Sequence, residues 1–290
     1  MAGGGTLYLV ATPIGNLGDV TLRALEVLRA VPLIAAEDTR ISRRLLARHQ
    51  IGTRMTSYHA QSNPARAAQL LAHLRDGADL ALVTDAGTPA VSDPGMDLAA
   101  AWAGEGGRVE AIPGASAVLV AVAASGLAGP RWSFEGFLPR SGRERKERLA
   151  RLADDERGAV LFEAPGRLRA TLRDLAAACG PDRPAAVCRE LTKLHEQVLR
   201  GTLASLVRAV DDGSIPARGE IAIVVGWSSA AVAARTSDEG GVRAAEAIAR
   251  VEALVLGGLA RGEAARRVAT ETGLHRRQLY QPPPANGTER

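Results

Sequence analysis

Aromatic side chains are scarce in this chain of 290 residues: phenylalanine, tryptophan and tyrosine together make up 3%. That excludes an extended base-stacking platform of the kind that lines single-strand binders. Lysine occurs only at Lys146 and Lys193, so nearly all of the positive charge is arginine. Arginine favours bidentate contacts to phosphate, although a GC-rich genome produces the same bias. Cysteine is limited to Cys179 and Cys188, and the five histidines are scattered. This excludes a disulfide framework and a zinc site, and no metal is expected. The longest uncharged apolar stretch, ASAVLVAVAASGLAG from Ala115, is interrupted by Ser125 and Gly126. It falls short of the roughly 20 residues that a membrane-spanning helix requires. The first basic residue is Arg23, which leaves no basic region for a signal peptide. A soluble, cytoplasmic protein is expected.

Two phosphate-binding signatures are also missing. Neither lysine follows a glycine, so there is no G-x-x-x-x-G-K-[ST] loop of an NTPase. The GGG at 3–5 precedes the first apolar run instead of following it. That removes the dinucleotide fingerprint, and with it the glycine loop of ordinary Rossmann-type methyltransferases.

What remains is a chain with 46% hydrophobic and 23% charged residues and a net charge of +4. Its length suits two domains at roughly 150 residues each. Apolar runs LYLVAT (7–12), PLIAAED (32–38), ADLALVTD (78–85) and RVEAIPG (108–114) alternate with helical patterns at 19–31, 40–49, 65–77 and 95–107. This β-α-β rhythm predicts an α/β domain over 1–113 with a largely parallel sheet. The texture changes after PGAS. A buried helix is expected over SAVLVAVAAS, ended by Gly126. Strands follow at RWSFEGFLPR, GAVLFE, PAAVCRE and GEIAIVVG, with helices at 166–178 and 202–211. These make a second α/β domain over 114–228. The segment 229–290 reads as a linker, then a helix-turn-helix-like tail, then a disordered end. In that tail Ala244, Ile248, Val251 and Val255 share one helical face.

Ligands of parallel sheets sit at the carboxyl ends of strands. Three loops rich in glycine, proline and small residues lie there: ATPIGN (11–16), TDAGTPAVSDPG (84–95) and IPGAS (112–116). One such loop is an ordinary turn. Three in successive positions indicate a shared cleft, where small side chains let a ligand reach the backbone. Pro94 and Gly95 suit a helix start instead.

These segments carry a resemblance. LYLVATPIGNLGDVTLRAL, AAEDTRISRRLL, ALVTDAGTPAVSDPG, IPGASAVLVAVAASGL, FEGFLPR, LFEAPGRL, CRELTKLHE and GEIAIVVG occur in this order within a resemblance that covers about 6–281. Together they resemble the tetrapyrrole methylase superfamily, and within it the small-subunit ribosomal RNA methyltransferase I branch. The resemblance implies two α/β domains, a homodimer, and S-adenosylmethionine bound between the domains. It also implies methylation of the ribose 2′-hydroxyl of a cytidine in the decoding region of 16S ribosomal RNA. By the same resemblance the cofactor residues are Pro13, Asp85, Ala86, Gly87, Thr88, Pro89, Ala115 and Ser116, with Phe162, Glu163 and Arg189 on the opposite wall. One departure concerns YHAQSNP (58–64), where family members often carry an acidic run. His59 remains, but Ala60, Gln61 and Ser62 follow it, so no catalytic role is assigned there.

Methyl transfer to a ribose hydroxyl needs help with the proton. Asp85, Glu163, Glu190, Lys193 and Glu220 are the candidates, and Glu190 with Lys193 is preferred, since the two would face one way on a helical turn. Burial would lower the lysine pKa and make it a base; a structural salt bridge is the competing role. For RNA, the basic run LPRSGRERKERLAR (138–151) offers Arg140, Arg143, Arg145, Lys146 and Arg148, and the tail adds Arg276 and Arg277. Arg40, Arg43, Arg44 and Arg48 form a second basic cluster. Phosphate contacts of this kind give affinity, not base choice. Two other readings stay open here. One is a methyltransferase of a porphyrin-like small molecule, which the Arg-rich run and the helical tail fit poorly. The other is a non-catalytic ribosome-binding protein, which binding of the methyl donor would separate.

Overall fold

The computed structural model of the protein describes residues 4–59, 63–89, 95–227 and 246–272. The chain up to Trp227 forms one compact unit and the chain from Ser228 another. The first unit contains two five-stranded sheets.

The first sheet consists of β1 (Thr6–Val10), β2 (Leu33–Ala36), β3 (Met55–Ser57), β4 (Leu80–Val83) and β5 (Arg108–Ile112), in the order β3-β2-β4-β1-β5. Every pairing is parallel. The crossovers are α1 (Leu22–Ala30), α2 (Thr39–Arg48), α3 (Pro64–Arg75) and α4 (Met96–Gly104). Helices on both faces explain why the central strands read as unbroken apolar runs. In β4, Leu80 and Leu82 pack with Leu70, Leu74, Leu98 and Trp102 on one face. Ala81 and Val83 pack with Leu25, Leu28 and Leu46 on the other, as the two-residue period of a strand demands. Side-chain caps start the helices: Thr21 accepts from the Ala24 amide, and Asn63, just before Pro64, accepts from that of Ala65.

The second sheet consists of β6 (Trp132–Phe137), β7 (Gly158–Glu163), β8 (Pro184–Arg189), β9 (Gln197–Thr202) and β10 (Ile221–Val225), in the order β6-β7-β10-β8-β9. Only β6 and β7 pair parallel; the remaining pairings are antiparallel. One face is covered by α6 (Gly142–Asp154), α7 (Leu168–Cys179) and α8 (Leu203–Asp211). The other face holds Val160, Ala186, Cys188, Ala222 and Val224, packed against α5 (Ala117–Ser125) and against Ile14 from the first half. Ser116 caps the start of α5, and Gly126 ends it in the left-handed conformation. Arg200 of β9 donates to the carbonyls of Ser125 and Ala124 and so satisfies the end of that helix. The expected division near residue 114 falls between β5 and α5, inside this compact unit.

In the second unit a helix α9 over 246–256 packs on α10 (Arg261–Thr272) through Ala247, Val251, Ala264, Ala265 and Val268. The expected linker, Ala244, the third tail helix, Arg276 and Arg277 lie outside the described residues.

The basic run divides by the face of α6 on which each residue falls. Arg140, Arg143 and Lys146 are exposed. Arg145 is not available to RNA, because it is buried at 7% exposure and its donors are taken. Its guanidinium donates to Asp174 Oδ2 at 2.7 and 2.9 Å, to Thr171 Oγ1 at 3.0 Å and to the Pro139 carbonyl at 2.9 Å. Removing a buried hydrogen-bonded cation leaves its partners unpaired, so Arg145→Ala is expected to lower unfolding free energy by about 2–3 kcal/mol. Urea denaturation checks this. Arg143→Ala, which loses only an exposed pair to Glu147, is expected to leave the midpoint unchanged.

Candidate active site

The three small-residue loops meet at the carboxyl ends of β1, β4 and β5. Thr12 and Gly87 exchange backbone hydrogen bonds, 2.9 Å from the Thr12 amide and 3.0 Å from that of Gly87. Thr12 Oγ1 donates to the Thr84 carbonyl at 3.1 Å, and Thr88 Oγ1 to the Ala115 carbonyl at 3.3 Å. Gly87 sits at φ +83, where a side chain is strained. A Cβ there would meet Ile14 Cγ2 at 3.4 Å, an ordinary contact, so the strain is that of the backbone.

A cavity of about 390 Å³ opens between these loops and the second sheet. Ile14, Ala86, Gly87, Thr88 and Ser116 form one wall; Phe162, Cys188, Leu191 and Ala222 form the other. Of the cofactor residues expected from sequence, Ala86, Gly87, Thr88, Ser116, Phe162 and Glu163 line it. Pro13 and Pro89 are buried within the same loops, and Ala115 contributes the carbonyl bonded to Thr88. Asp85 does not line it. Its carboxylate accepts from the Asp38 amide at 2.9 Å, and its own amide donates to Glu37 at 3.3 Å. Burial, with the neighbouring carboxylates, raises the pKa of Glu37 and of Asp85. Hydrogen bonds from Arg40 take Asp38 down to about 2.

Strand alternation corrects the expectation for Arg189 and limits that for Glu163. Phe162 and Cys188 face the cavity, so the side chains of their neighbours turn to the helix-covered face, although Glu163 still borders the cavity. Glu163 has a fully buried carboxylate, which accepts from Thr171 Oγ1 at 2.5 Å and the Ala164 amide at 2.8 Å and pairs with Arg167 at 3.3 Å. It ties β7 to α7. Arg189 is buried and donates to the carbonyls of His195 and Arg218 and to Gln197. It braces the loop between β8 and β9. Burial also pushes the Cys188 thiol up to about 11, which makes it inert at neutral pH.

That loop contains CRELTKLHE. It forms two consecutive tight turns, not a helical turn, with Glu190 and Thr192 at positive φ of 51 and 64. Non-glycine residues seldom adopt this conformation, and it recurs at functional sites. Lys193 Nζ lies 2.8 Å from Glu190 Oε1 and 3.2 Å from Glu220 Oε2. The lysine stem covers Gly15 so closely that a Cβ there would lie 2.4 Å from Lys193 Cγ. Burial alone would lower the lysine pKa, but the two carboxylates outweigh it and the net direction is upward. Lys193 therefore stays protonated at neutral pH and is not a general base. Glu190, hydrogen-bonded by Lys193 and by the Glu220 amide, is held below the ordinary carboxylate range. Glu220 lines the cavity with its side chain 71% exposed. Phe137 also lines the cavity, a position that sequence reading did not select. Among the described residues no cluster of histidine, cysteine or acidic side chains could hold a metal ion.

The fold pairs a parallel and a mixed sheet around a loop-built cavity, and residues 6–207 match the family of tetrapyrrole (corrin/porphyrin) methylases. The chain belongs to that family. It is 46% identical, over 96% of its own length and 96% of the other's, to a Synechocystis sp. protein named ribosomal RNA small subunit methyltransferase I. A Xylella fastidiosa protein of the same name is 42% identical, with 95% and 98% covered. The solved structure of cobalt precorrin-4 methyltransferase shares the fold at a TM-score of 0.61 and 22% identity, over 77% of this chain and 95% of that one.

The Lys193 cluster predicts a pH dependence. Glu190 is depressed in the folded state, so its contribution is present above the ordinary carboxylate value of 4.5 and is lost as pH falls through the folded value. Lys193 is raised, so its contribution is full below 10.5 and is lost as pH rises through the folded value. In an NMR titration the Glu190 carboxyl is expected to have its midpoint below 4.5 and to return towards that value in Lys193→Met.

Proposed function

We propose that this protein methylates small-subunit ribosomal RNA with S-adenosylmethionine as donor, at the ribose 2′-hydroxyl of a cytidine in the decoding region of 16S RNA. The observation that carries this reading is the match along nearly the whole chain, at 46% identity, to a protein named for that RNA. The cavity supports the donor: its volume of about 390 Å³ suits a nucleoside-sized group, and Gly87 lines it at a positive φ that a side chain would strain. When bound, the donor supplies a methyl group already activated as a sulfonium.

The chain's own residues then have separate tasks. Backbone groups of 86–88 and Ser116 hold the polar end of the donor, while Ile14, Phe162 and Leu191 exclude water from its apolar wall. Fixing the acceptor oxygen in line can lower the barrier by ~7–11 kcal/mol. Glu220 takes the hydroxyl proton at its Oε1, while Lys193, itself paired with Glu190, holds Oε2 at 3.2 Å. Phosphates of the RNA meet Arg140, Arg143 and Lys146 on α6. The expected assembly is a homodimer in the cytoplasm. In support, α5 is apolar around its whole circumference and leaves Leu119 56% exposed, and no helix among the described residues is long and apolar enough to cross a membrane.

Small ribosomal subunits from a strain lacking the gene, incubated with protein and labelled donor, are expected to gain one ribose-methylated cytidine in the decoding region. Absence of label, or label on another nucleotide, would contradict the reading. In the same assay Glu220→Gln is expected to lower kcat by about 10²-fold or more with donor affinity unchanged. Gly87→Val is expected to abolish donor binding in calorimetry.

A further inference from the structure

Phe134 and Phe137 are three residues apart in β6, yet both rings touch Phe162, with centroids 5.0 and 5.7 Å away. In a regular strand, residues three apart point to opposite faces. The contradiction is resolved by a β-bulge. Phe134 pairs with Val160, Gly136 pairs with Leu161 and Phe137 pairs with Phe162, so Glu135 is the extra residue. Gly136 accommodates the bulge at φ +60. A bulge of this kind re-aims a side chain and is a frequent neighbour of active sites.

Arg148 secures this detour from α6. Its guanidinium donates to the Glu135 carbonyl, pairs with the Glu135 carboxylate at 3.1 Å and reaches the Phe137 carbonyl at 3.5 Å. Arg148 is only 22% exposed at its side chain, so it holds the bulge and does not serve the phosphates as the sequence suggested. The product is a phenylalanine ring at the cavity mouth, 52% exposed, while the next residue, Leu138, is buried in the core. The packing of the second sheet does not require an exposed aromatic there. Shortly after Phe137 in the chain come the exposed Arg140, just before α6, and the exposed Arg143 in its first turn.

We propose that Phe137 is the surface on which a nucleobase of the RNA acceptor stacks as its ribose enters the cavity. The inference rests on the ribosomal RNA reading given above. An exposed ring at a cavity mouth, with exposed cations shortly after it in the chain, is the chemistry that recognises an unpaired nucleotide. Every base has a π-face, so the ring orients the nucleotide without choosing it. Arg148 is a positioning residue that acts through the bulge.

The test uses the full-length protein and small ribosomal subunits from the strain lacking the gene. Phe137→Ala is expected to raise KM for the subunits by roughly 10-fold or more while Kd for S-adenosylhomocysteine, by calorimetry, stays within twofold. Phe137→Tyr is expected to restore near wild-type KM, and an unchanged urea midpoint in Phe137→Ala is expected to separate lost stacking from a structural defect at Phe162. Wild-type KM in Phe137→Ala would overturn the proposal and leave the ribosomal RNA reading standing. A weakened Kd for S-adenosylhomocysteine would overturn it by giving the ring to the donor. Absence of transfer by the unmodified protein would overturn both.

Discussion

Two backbone hydrogen bonds between Thr12 and Gly87 join the loop after β1 to the loop after β4, and the cavity depends on them. Loops at the ends of parallel strands diverge as the sheet twists, so loops built of glycine and alanine have little of their own to hold them. The exchange closes that gap with the backbone alone. It places Ile14 over Gly87, and Thr88 then binds the third loop through the Ala115 carbonyl. A rigid wall results without bulky side chains, so the space in front of it stays free for a ligand. A polar group is then recognised by fixed amides, which need no reordering when it arrives.

The opposite wall is secured differently. There the strands end in charged residues, and each charge has a fixed partner. Glu163 is shared among Thr171, the Ala164 amide and Arg167; Arg145 binds the same Thr171 and so links α6 to α7. Lys193 packs on Gly15 and carries the loop between β8 and β9 onto the first half. The ionic groups beneath the cavity thus brace its wall, while Glu220 at the mouth is left half-free. Architecture and chemistry are divided by strand parity: residues of one parity face the cavity, and those of the other face the helices.

Much of the first sheet was legible because buried parallel strands are continuous apolar runs, and those of β1, β4 and β5 were followed by turn-rich loops. The cavity-lining Gly87, Thr88 and Ser116 were legible from the same loops. β3 and β9 were not. β3 has three residues, and β9 carries Arg200 and Gly201 in the middle of an edge strand, because Arg200 serves the end of α5. Charge runs show amount but not direction, so Arg145 and Arg148 read like their exposed neighbours until the face of α6 was known. Glu163 and Arg189 were drawn to the cavity by their motifs, although the alternation with Phe162 and Cys188 turns both away. The bulge at Glu135 left a single cue, Gly136, and without it Phe137 would be assigned to the wrong face.

The central claim is that the Thr12–Gly87 junction and the second sheet together form the donor site. A crystal structure of the protein with S-adenosylhomocysteine tests it most directly. The account predicts the ligand between the two sheets, with its polar end against the backbone of 86–88 and Ser116 and its sulfur directed towards Glu220. Density for the ligand elsewhere, or against the outer face of α6, would contradict it.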